Sequence, residues 1–364
     1  MKVLNIIDSL GLGGAQTVVK GIFEGQQRNK NIFLYALRKN EIITEINHEN
    51  VFGYKSASKY SVFPLFELKK IIEKEKIDFI HCHLFRSQVF GWLLKKLFFP
   101  NIKLIFHEHG KIFKNQFFYN NFIRISKNKT NLFIAVSNST KKELIENGKI
   151  TEDNVKVLYN FVDLDKFNRK NITWNIHEEK TNLGLKNTDF VVGFAARLVE
   201  RKGWEDFILA SNKLIKKNKN FKFVIVGDGK DKEKMLSKIN EFNLSNNIIY
   251  LGYSSKMVWF YSLLDCFVIP SQWEPMGLTE IEAQAMNIPV IATNVPALNE
   301  IIQDSENGLL FKAKDAMDLS RKIELIYKNK KLREKIIKNG LNNVKKYDLT
   351  NYKIELNKLY KDLK

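Results

Sequence analysis

The sequence is poor in cysteine: Cys82 and Cys266 are the only two in 364 residues. Two thiols cannot make a disulfide scaffold or a four-thiolate zinc site. Both lie in apolar runs, FIHCHLF and LLDCFVIP, which reads as buried thiols in a reducing compartment. No apolar run is long enough to span a membrane. The nearest, GWLLKKLFFP at 91–100, is broken by Lys95 and Lys96 and closed by Pro100. The N-terminus MKVLNIIDSL has one Lys and a short apolar stretch before Asp8, without the long apolar region and small-residue cleavage site of a secretory leader. The expectation is therefore a cytoplasmic protein. Short repeats and low-complexity tracts are absent.

Acidic residues are also in deficit, with 40 Asp and Glu against 59 Lys and Arg and a formal charge of +19. Such a balance admits nucleic acid, an anionic membrane surface or a phosphate-bearing substrate. A general richness in Lys, Asn and Ile explains it equally well with no partner at all. No helix-turn-helix, zinc finger or aromatic RNA-binding motif is present, so nucleic acid is not expected. What is abundant is core-forming material. Apolar residues make up 44% and aromatics 12% of the chain, which excludes disorder, and the length suggests two domains.

Apolar segments alternate with helical periods twice along the chain. The first series runs from Val3–Ile7 through GLGGAQ into TVVKGIFEGQQ, then a helix over 63–76, a strand over 77–85, the helix SQVFGWLLKKLFF and the strand NIKLIFHEH. It closes with strand NLFIAVS, helix STKKELIENG and strand NVKVLYN. A polar stretch without periodicity, 168–182, suggests a linker. The second series starts at DFVVGFAARL (189–198) and continues through FKFVIVGDG, NIIYLGY, DCFVIPS and IPVIATNV with helices between. Strands separated by helices of this length give parallel, doubly wound sheets. The expected fold class is α/β: two Rossmann-like domains, 1–167 and 186–344, joined by a linker at 168–185 and facing a central cleft. A C-terminal helix over 345–364 is expected to pack back on the first domain.

Three loops carry candidate chemistry. In GLGGAQ, Gly11 and Gly13 fit a dinucleotide fingerprint, but Gln16 stands where the third glycine belongs. What remains is a glycine turn whose amides can approach a phosphate, or simply a tight turn. In AARLVERKG, Arg197 and Lys202 can hold a diphosphate, although such a pair is as easily solvated surface. In SQWEPMGLTEIEAQA (271–285), Glu274 and Glu282 flank Pro275 and Gly277. Gly277 can open a helix with its amides towards a phosphate, and the two carboxylates can accept hydrogen bonds from sugar and ribose hydroxyls.

With these motifs in order, the chain resembles the family 4 (group 1) retaining glycosyltransferases of GT-B fold. The GLGGA loop, AVSNSTKKEL, VLYNFVDLDKF, AARLVERKG, VIVGDG, the two-Glu motif, PVIATNVPALNEII and NGLLF follow the family order over nearly the whole chain. The resemblance implies that Arg197 and Lys202 hold the donor diphosphate, that Glu274 contacts the donor sugar and that Glu282 contacts the ribose. It further implies donor contacts at Met276, Gly277, Leu278, Thr279, Gly227 and Asp228. Gly13 and Gly14 would cap the diphosphate from the first domain, and His109 would lie near the transferred sugar, so Arg197, Lys202, Glu274 and His109 form the implied catalytic set. The implied co-substrate is a nucleotide diphosphate sugar, a UDP-sugar foremost, with no cofactor. The implied acceptor is a saccharide or lipid-linked glycan of cell-surface polysaccharide, lipopolysaccharide or glycolipid. Ala196, Phe161 and Pro296-Ala297 depart from the family pattern, which bears on donor and acceptor preference. A sugar-nucleotide 2-epimerase of the same fold and a non-catalytic basic binding protein are the alternatives.

Other constellations point elsewhere. His81 and His83, and His107 and His109, form two x-H-x-H pairs, each on one face of a strand. Cys82 faces the opposite way, and zinc normally gathers three or four ligands, so no metal is expected. The DLD at 163–165 reads as structural. A serine hydrolase is excluded by the lack of G-x-S-x-G, and Glu274 and Glu282 are not spaced as a hydrolase pair. The segment 111–129 carries five basic and no acidic residues. With Lys111, Lys114, Phe117, Phe118, Phe122 and Arg124 on one helix, it suggests an acceptor-side or membrane-facing surface. A protein held peripherally on the inner face of the plasma membrane would follow. The same helix could equally pack on its own domain.

Overall fold

The computed structural model describes residues 1–11, 13–26, 29–38, 46, 48–53, 61–110 and 116–364. It divides into two compact units, Met1–Asn160 with Thr350–Lys364, and Phe161–Leu349.

The first unit contains β1 (Val3–Ile7), α1 (Gly14–Phe23), β2 (Ile32–Ala36), β3 (Val51–Gly53), α2 (Pro64–Glu75), β4 (Phe79–His83) and α3 (Phe85–Leu97). It continues with β5 (Lys103–Glu108), α4 (Phe117–Ser126), β6 (Leu132–Ala135), α5 (Asn138–Gly148) and β7 (Val155–Val157). The strands form one parallel sheet in the order β3-β2-β1-β4-β5-β6-β7. All residues of β1, β2 and β4 are buried, as expected for a parallel sheet covered on both faces. β2, from the sequence NIFLYAL, and β3 escaped the reading by pattern, because a five-residue all-apolar run shows no alternation. α3 lies close to the sheet because Gly91 faces it: a Cβ there would fall 2.4 Å from Cys82 Sγ. Cys82 and Cys266 are free, buried thiols, and burial raises the pKa of both. Neither is a reactive thiolate.

The second unit contains α6 (Ile176–Asn182), β8 (Phe190–Ala195), α7 (Trp204–Lys217), β9 (Phe221–Val226), α8 (Lys232–Glu241), β10 (Ile248–Tyr250) and α9 (Met257–Ser262). Then come β11 (Cys266–Ile269), α10 (Thr279–Ala285), β12 (Val290–Thr293), α11 (Pro296–Ile301), β13 (Leu309–Phe311), α12 (Ala316–Lys328) and α13 (Lys330–Val344). Its parallel sheet runs β10-β9-β8-β11-β12-β13. α7 buries Phe207, Ile208 and Leu214 against the β strands, into a core shared with Phe194, Phe223 and Ile225. Asn329 separates α12 from α13 by accepting a hydrogen bond from the Leu332 amide.

The segment expected as a linker at 168–185 belongs to this second unit. Asn175 caps α6 by accepting from the amides of His177 and Glu178. Trp174 donates to Ser262 Oγ at 3.2 Å, and Glu179 accepts from Trp259 at 2.7 Å. A short, polar helix held by indole hydrogen bonds has no apolar period to reveal it.

The last helix, α14 (Leu349–Asp362), returns to the first unit. It buries Tyr352, Leu356 and Tyr360, and Tyr360 hydrogen-bonds His81 Nδ1 at 2.7 Å.

Gly193 in β8 leaves room for α9: a Cβ there would lie 2.2 Å from Leu264 Cδ1 and 3.0 Å from Phe260 Cζ. Gly193→Ala should overpack this core and cost about 1–3 kcal/mol. A lowered midpoint in urea, with an unchanged slope, is the expected result.

Candidate active site

In the second sheet the connection from β8 goes to β9 on one side, while β11 pairs on the other. The carboxyl ends of β8 and β11 therefore border a topological switch point, the place where open α/β sheets bind ligands. Three loops meet there, and two glycines set how closely. Gly227, at φ +143°, lies so near that a Cβ would fall 1.9 Å from the Ala196 carbonyl oxygen. Gly203, at φ +71°, has the Pro270 oxygen at the same 1.9 Å. Hydrogen bonds then join the loops, from Leu198 N to Asp228 O at 2.9 Å and from Gln272 N to Arg201 O at 2.9 Å. Asp228 also closes its own turn, accepting from the Gly229 amide at 2.7 Å.

Charge is arranged unequally around these loops. Lys202 Nζ pairs with Glu274 Oε1, with side-chain exposures of 18% and 7%. The same carboxylate oxygen accepts from Ser271 Oγ at 2.7 Å. Arg197, directly after β8, is exposed, and its guanidinium has no partner among the described residues. Lys202 is thus largely neutralised by Glu274, while Arg197 offers an uncompensated fork to an anion.

Glu282, on α10, is buried and accepts from Tyr261 Oη at 2.9 Å. Burial raises its carboxyl to about 7, against the hydrogen bond from Tyr261 and the charge of Lys166. Near neutral pH it can be either donor or acceptor towards a hydroxyl. Met276 is buried, while Gly277, Leu278 and Thr279 are half-buried. The helix begins at Thr279, two residues later than expected, because Gly277 is used differently: its missing Cβ makes room for the Glu280 carboxylate, 2.3 Å from where that atom would be.

In the sequence Glu280 looks like any helix glutamate between two motif positions. It is fully buried without a side-chain hydrogen-bond partner, and the nearest donors are the backbone amides of Gly277 and Glu280. Burial and then the charge of Glu274 raise it to about 8.

The first unit holds the remaining candidates. Gly13 and Gly14 open α1, with Gly13 in extended backbone at φ 161°. Gln16, the residue that spoils the fingerprint, turns back to donate to the Ser9 carbonyl at 3.3 Å. Beside Gly14 a Cβ would meet nothing within 4 Å. His109 follows β5 and is half-buried, with Nε2 3.0 Å from His83 Nδ1. Burial lowers it to about 3, so it is a neutral imidazole. Between the two histidines of HEH, Glu108 is buried beside Gln88 Nε2 at 2.7 Å and is raised by burial to about 7. Asp8, at the end of β1, accepts from the Ser87 amide at 2.9 Å and is also raised by burial.

The basic-aromatic segment is not one continuous outward face. Lys111 and Lys114 lie outside the described residues. In α4, Phe117 and Phe118 are 69% and 85% exposed, and Arg124 is exposed with a hydrogen bond to the Asn147 carbonyl at 3.1 Å. Phe122 turns the other way: it packs against the core, with Phe106, Phe85 and Trp92 around it. Four residues are 400°, so Phe122 sits about 40° round the helix from Phe118, at the border of the exposed face, where its aromatic neighbours draw it inward.

Residues 12–166 match the family described as Glycosyltransferase Family 4, and residues 175–343 match Glycosyl transferases group 1. A glycosyltransferase of Methanocaldococcus jannaschii is 33% identical over 302 residues, 81% of this chain and 78% of that protein. The chain belongs to the family 4, group 1 glycosyltransferases. The Escherichia coli UDP-Gal:alpha-D-GlcNAc-diphosphoundecaprenol alpha-1,3-galactosyltransferase is 28% identical to this glycosyltransferase over 301 residues, covering 78% and 76% of the two chains. In fold it superposes on Anabaena HepE, solved in complex with UDP and glucose, at a TM-score of 0.86 and 20% identity over 99% of both chains. The architecture is GT-B.

Of the anticipated positions, Arg197, Lys202, Gly227, Asp228, Glu274, Met276, Gly277 and Leu278 all lie on the loops beyond the strand ends of the second unit, with Thr279 and Glu282 on the helix that follows. Gly13, Gly14 and His109 belong to the first unit.

Both Glu280 and Glu282 have folded-state pKa values above the ordinary 4.5, so the folded chain holds protons that the unfolded chain releases between about pH 4.5 and 8. Stability from these groups is complete at the acid end and is lost as pH rises through 7 and 8. Glu280→Gln should make the protein more stable than wild type at pH 8, by on the order of 1–3 kcal/mol, with the gap closing near pH 5. Urea unfolding at the two pH values checks it; equal stabilities at pH 8 would mean that Glu280 carries no such penalty.

Proposed function

We propose that this glycosyltransferase moves a sugar from a UDP-sugar to a lipid-linked or saccharide acceptor of a cell-surface glycan, with retention at the anomeric carbon and without a metal at the reacting centre. The observation that carries this reading is the unpartnered Arg197 beside the Lys202–Glu274 pair at the switch point of the second sheet. A departing nucleoside diphosphate gains negative charge as the C1–O bond breaks. A guanidinium fork and an ammonium held on a rigid loop stabilise that charge without reorganising. The second unit is thus the donor side and the first the acceptor side. The E. coli relative, which by its name uses UDP-Gal and a diphosphoundecaprenol acceptor, and the UDP held by HepE support the choice of donor and acceptor class.

In this reading the acceptor hydroxyl forms its bond to C1 as the bond to the diphosphate breaks on the same face. Its proton passes to the leaving phosphate oxygen. No nucleophile is required from the protein, and Glu274, the buried carboxylate of these loops, is engaged by Lys202 and Ser271. Before or during donor binding Glu274 is positioned to exchange part of that pairing for a sugar hydroxyl. Glu282 and its Tyr261 partner are suited to the ribose diol, and His109 to a hydroxyl of the transferred sugar.

The two cations predict different phenotypes. Arg197→Ala should lower kcat/KM about 100-fold or more while leaving the melting temperature unchanged, because the side chain is exposed and unpaired. Lys202→Ala should also cost stability, on the order of 3 kcal/mol, because it strands the buried Glu274 carboxylate. Transfer is read as acceptor-dependent UDP release, with the product anomer assigned by NMR and the assay repeated in EDTA. Full turnover by the Arg197 variant, an inverted product, or an arrest by EDTA that Mg²⁺ or Mn²⁺ relieves and Zn²⁺ does not would each count against the corresponding part of the proposal.

Exposed Phe117 and Phe118, with Arg124, Lys127 and Lys129 on the same short stretch, suit an anionic membrane surface where a lipid-linked acceptor resides. No helix among the described residues is long and apolar enough to cross a membrane. Replacing both phenylalanines by Ser should weaken binding to vesicles rich in anionic lipid by tenfold or more, since each buried Phe contributes about 1.5–3 kcal/mol. Co-sedimentation with such vesicles measures it.

A further inference from the structure

The two histidine pairs do not remain separate. His81 and His83 alternate on β4 and share a face, and His107 on β5 is the register partner of His83. The three imidazoles are fully buried, and one nitrogen from each lies within 4.8 Å of the others. His107 and His81 stack with centroids 5.3 Å apart, and His109 stacks on His107 at 4.2 Å. Cys82, between two of them in sequence, points into the opposite layer against Gly91.

The nitrogens are poorly satisfied as they stand. His81 Nε2 and both ring nitrogens of His107 are buried without a hydrogen-bond partner. Each such group costs about 1–3 kcal/mol, and native interiors hold few of them. Three such nitrogens on two neighbouring rings call for something to bind.

The surrounding hydrogen bonds fix which lone pairs are available. Asn5 Nδ2 donates to the Phe33 carbonyl at 3.3 Å, so its Oδ1 is the atom 3.2 Å from His83 Nε2 and can only accept. His83 therefore carries its proton on Nε2, and its Nδ1 is an acceptor that His109 Nε2 meets at 3.0 Å and that an ion would take over. On His81, Nδ1 can donate to the Tyr360 hydroxyl at 2.7 Å, which leaves the buried, unpartnered Nε2 as the lone pair. Asn5 and Tyr360 thus hold the two rings from behind, as outer partners hold metal-bound histidines.

We propose that His81 Nε2, His83 Nδ1 and one nitrogen of His107 form a binding site for a single first-row divalent transition ion, zinc or a close neighbour. Neutral imidazoles are the preferred ligands of such ions, and the absence of carboxylate or carbonyl donors in the trio excludes magnesium and calcium. Bonds of about 2.0–2.1 Å in a tetrahedron set nitrogens about 3.4 Å apart. With the three nitrogens within 4.8 Å of one another, the widest gap in the trio would have to close by at most about 1.4 Å, which requires the rings to rotate on binding. His109 Nε2, hydrogen-bonded to His83 Nδ1 at 3.0 Å, gives up that bond when the ion binds and stays outside the ligand set, and the fourth position falls to a water. The site is enclosed by β1, β4, β5 and α14, so the ion is structural: it fastens the centre of the first sheet and takes no part at the donor diphosphate.

The test uses full-length protein without a histidine tag, stripped by chelator and titrated with Zn²⁺ or Co²⁺ alone. The proposal expects about one ion per chain, visible cobalt bands of tetrahedral strength, and a rise in melting temperature of roughly 3 °C or more. His107→Gln should abolish all three signals, while His177→Gln, at an exposed histidine outside the cluster, should leave them intact. Should His107→Gln fail to fold, the wild-type titration still decides. Less than ~0.1 equivalent of bound ion with no cobalt bands, or binding lost equally in the His177 variant, would overturn the site.

Discussion

All the strands of both sheets run parallel, and this one constraint decides where polar chemistry can go. A parallel sheet is covered on both faces, so its strands are apolar throughout and polar side chains are driven to the loops beyond the strand ends. In the second unit that is where Arg197, Lys202 and Glu274 stand. Its core of Phe194, Phe207, Phe223 and Ile225 carries no polar work of its own. The first sheet breaks the rule in one place, where β4 and β5 bring histidines into the middle of the layer. An exception of that kind demands a compensating partner, which Asn5 and Tyr360 supply only in part.

At the donor loops, rigidity comes from backbone contact more than from side chains. Gly203 and Gly227 let three loops touch at carbonyl oxygens, a distance no other residue permits. The Lys202–Glu274 pair then locks two of them together. Its cost in desolvation is offset by the hydroxyl of Ser271, and the free charge is left to Arg197. Electrostatic catalysis benefits from this division, since a loop that must not move is held by one cation while the other remains available.

Much of the architecture was legible because the relevant signals are local. Alternating apolar runs with glycine turns between them predict parallel α/β units, and the order of short motifs identifies the family. What escaped reading is what depends on three-dimensional neighbours. β2 lacks alternation, and the helix at 176–182 is polar and tied down by Trp174 and Trp259 from elsewhere. Glu280 looks like surface charge until Gly277 is seen to admit its carboxylate. Phe122 has the composition of an outward face yet turns inward. His81, His83 and His107 read as two pairs because register between β4 and β5 is not written in either segment alone.

The position of α14 links the two ends of the chain in time as well as in space. Tyr360 meets His81 across 279 residues, and Lys353 reaches the carbonyl of Glu24. During synthesis the first unit emerges early but lacks the helix that seals one of its faces, whereas the second unit, Phe161–Leu349, is complete as soon as it has been made. The domain made first is therefore the last to be finished. Until α14 has been made its apolar strip is open, and damage to residues 350–364 is felt by the N-terminal fold rather than by the sequence beside it.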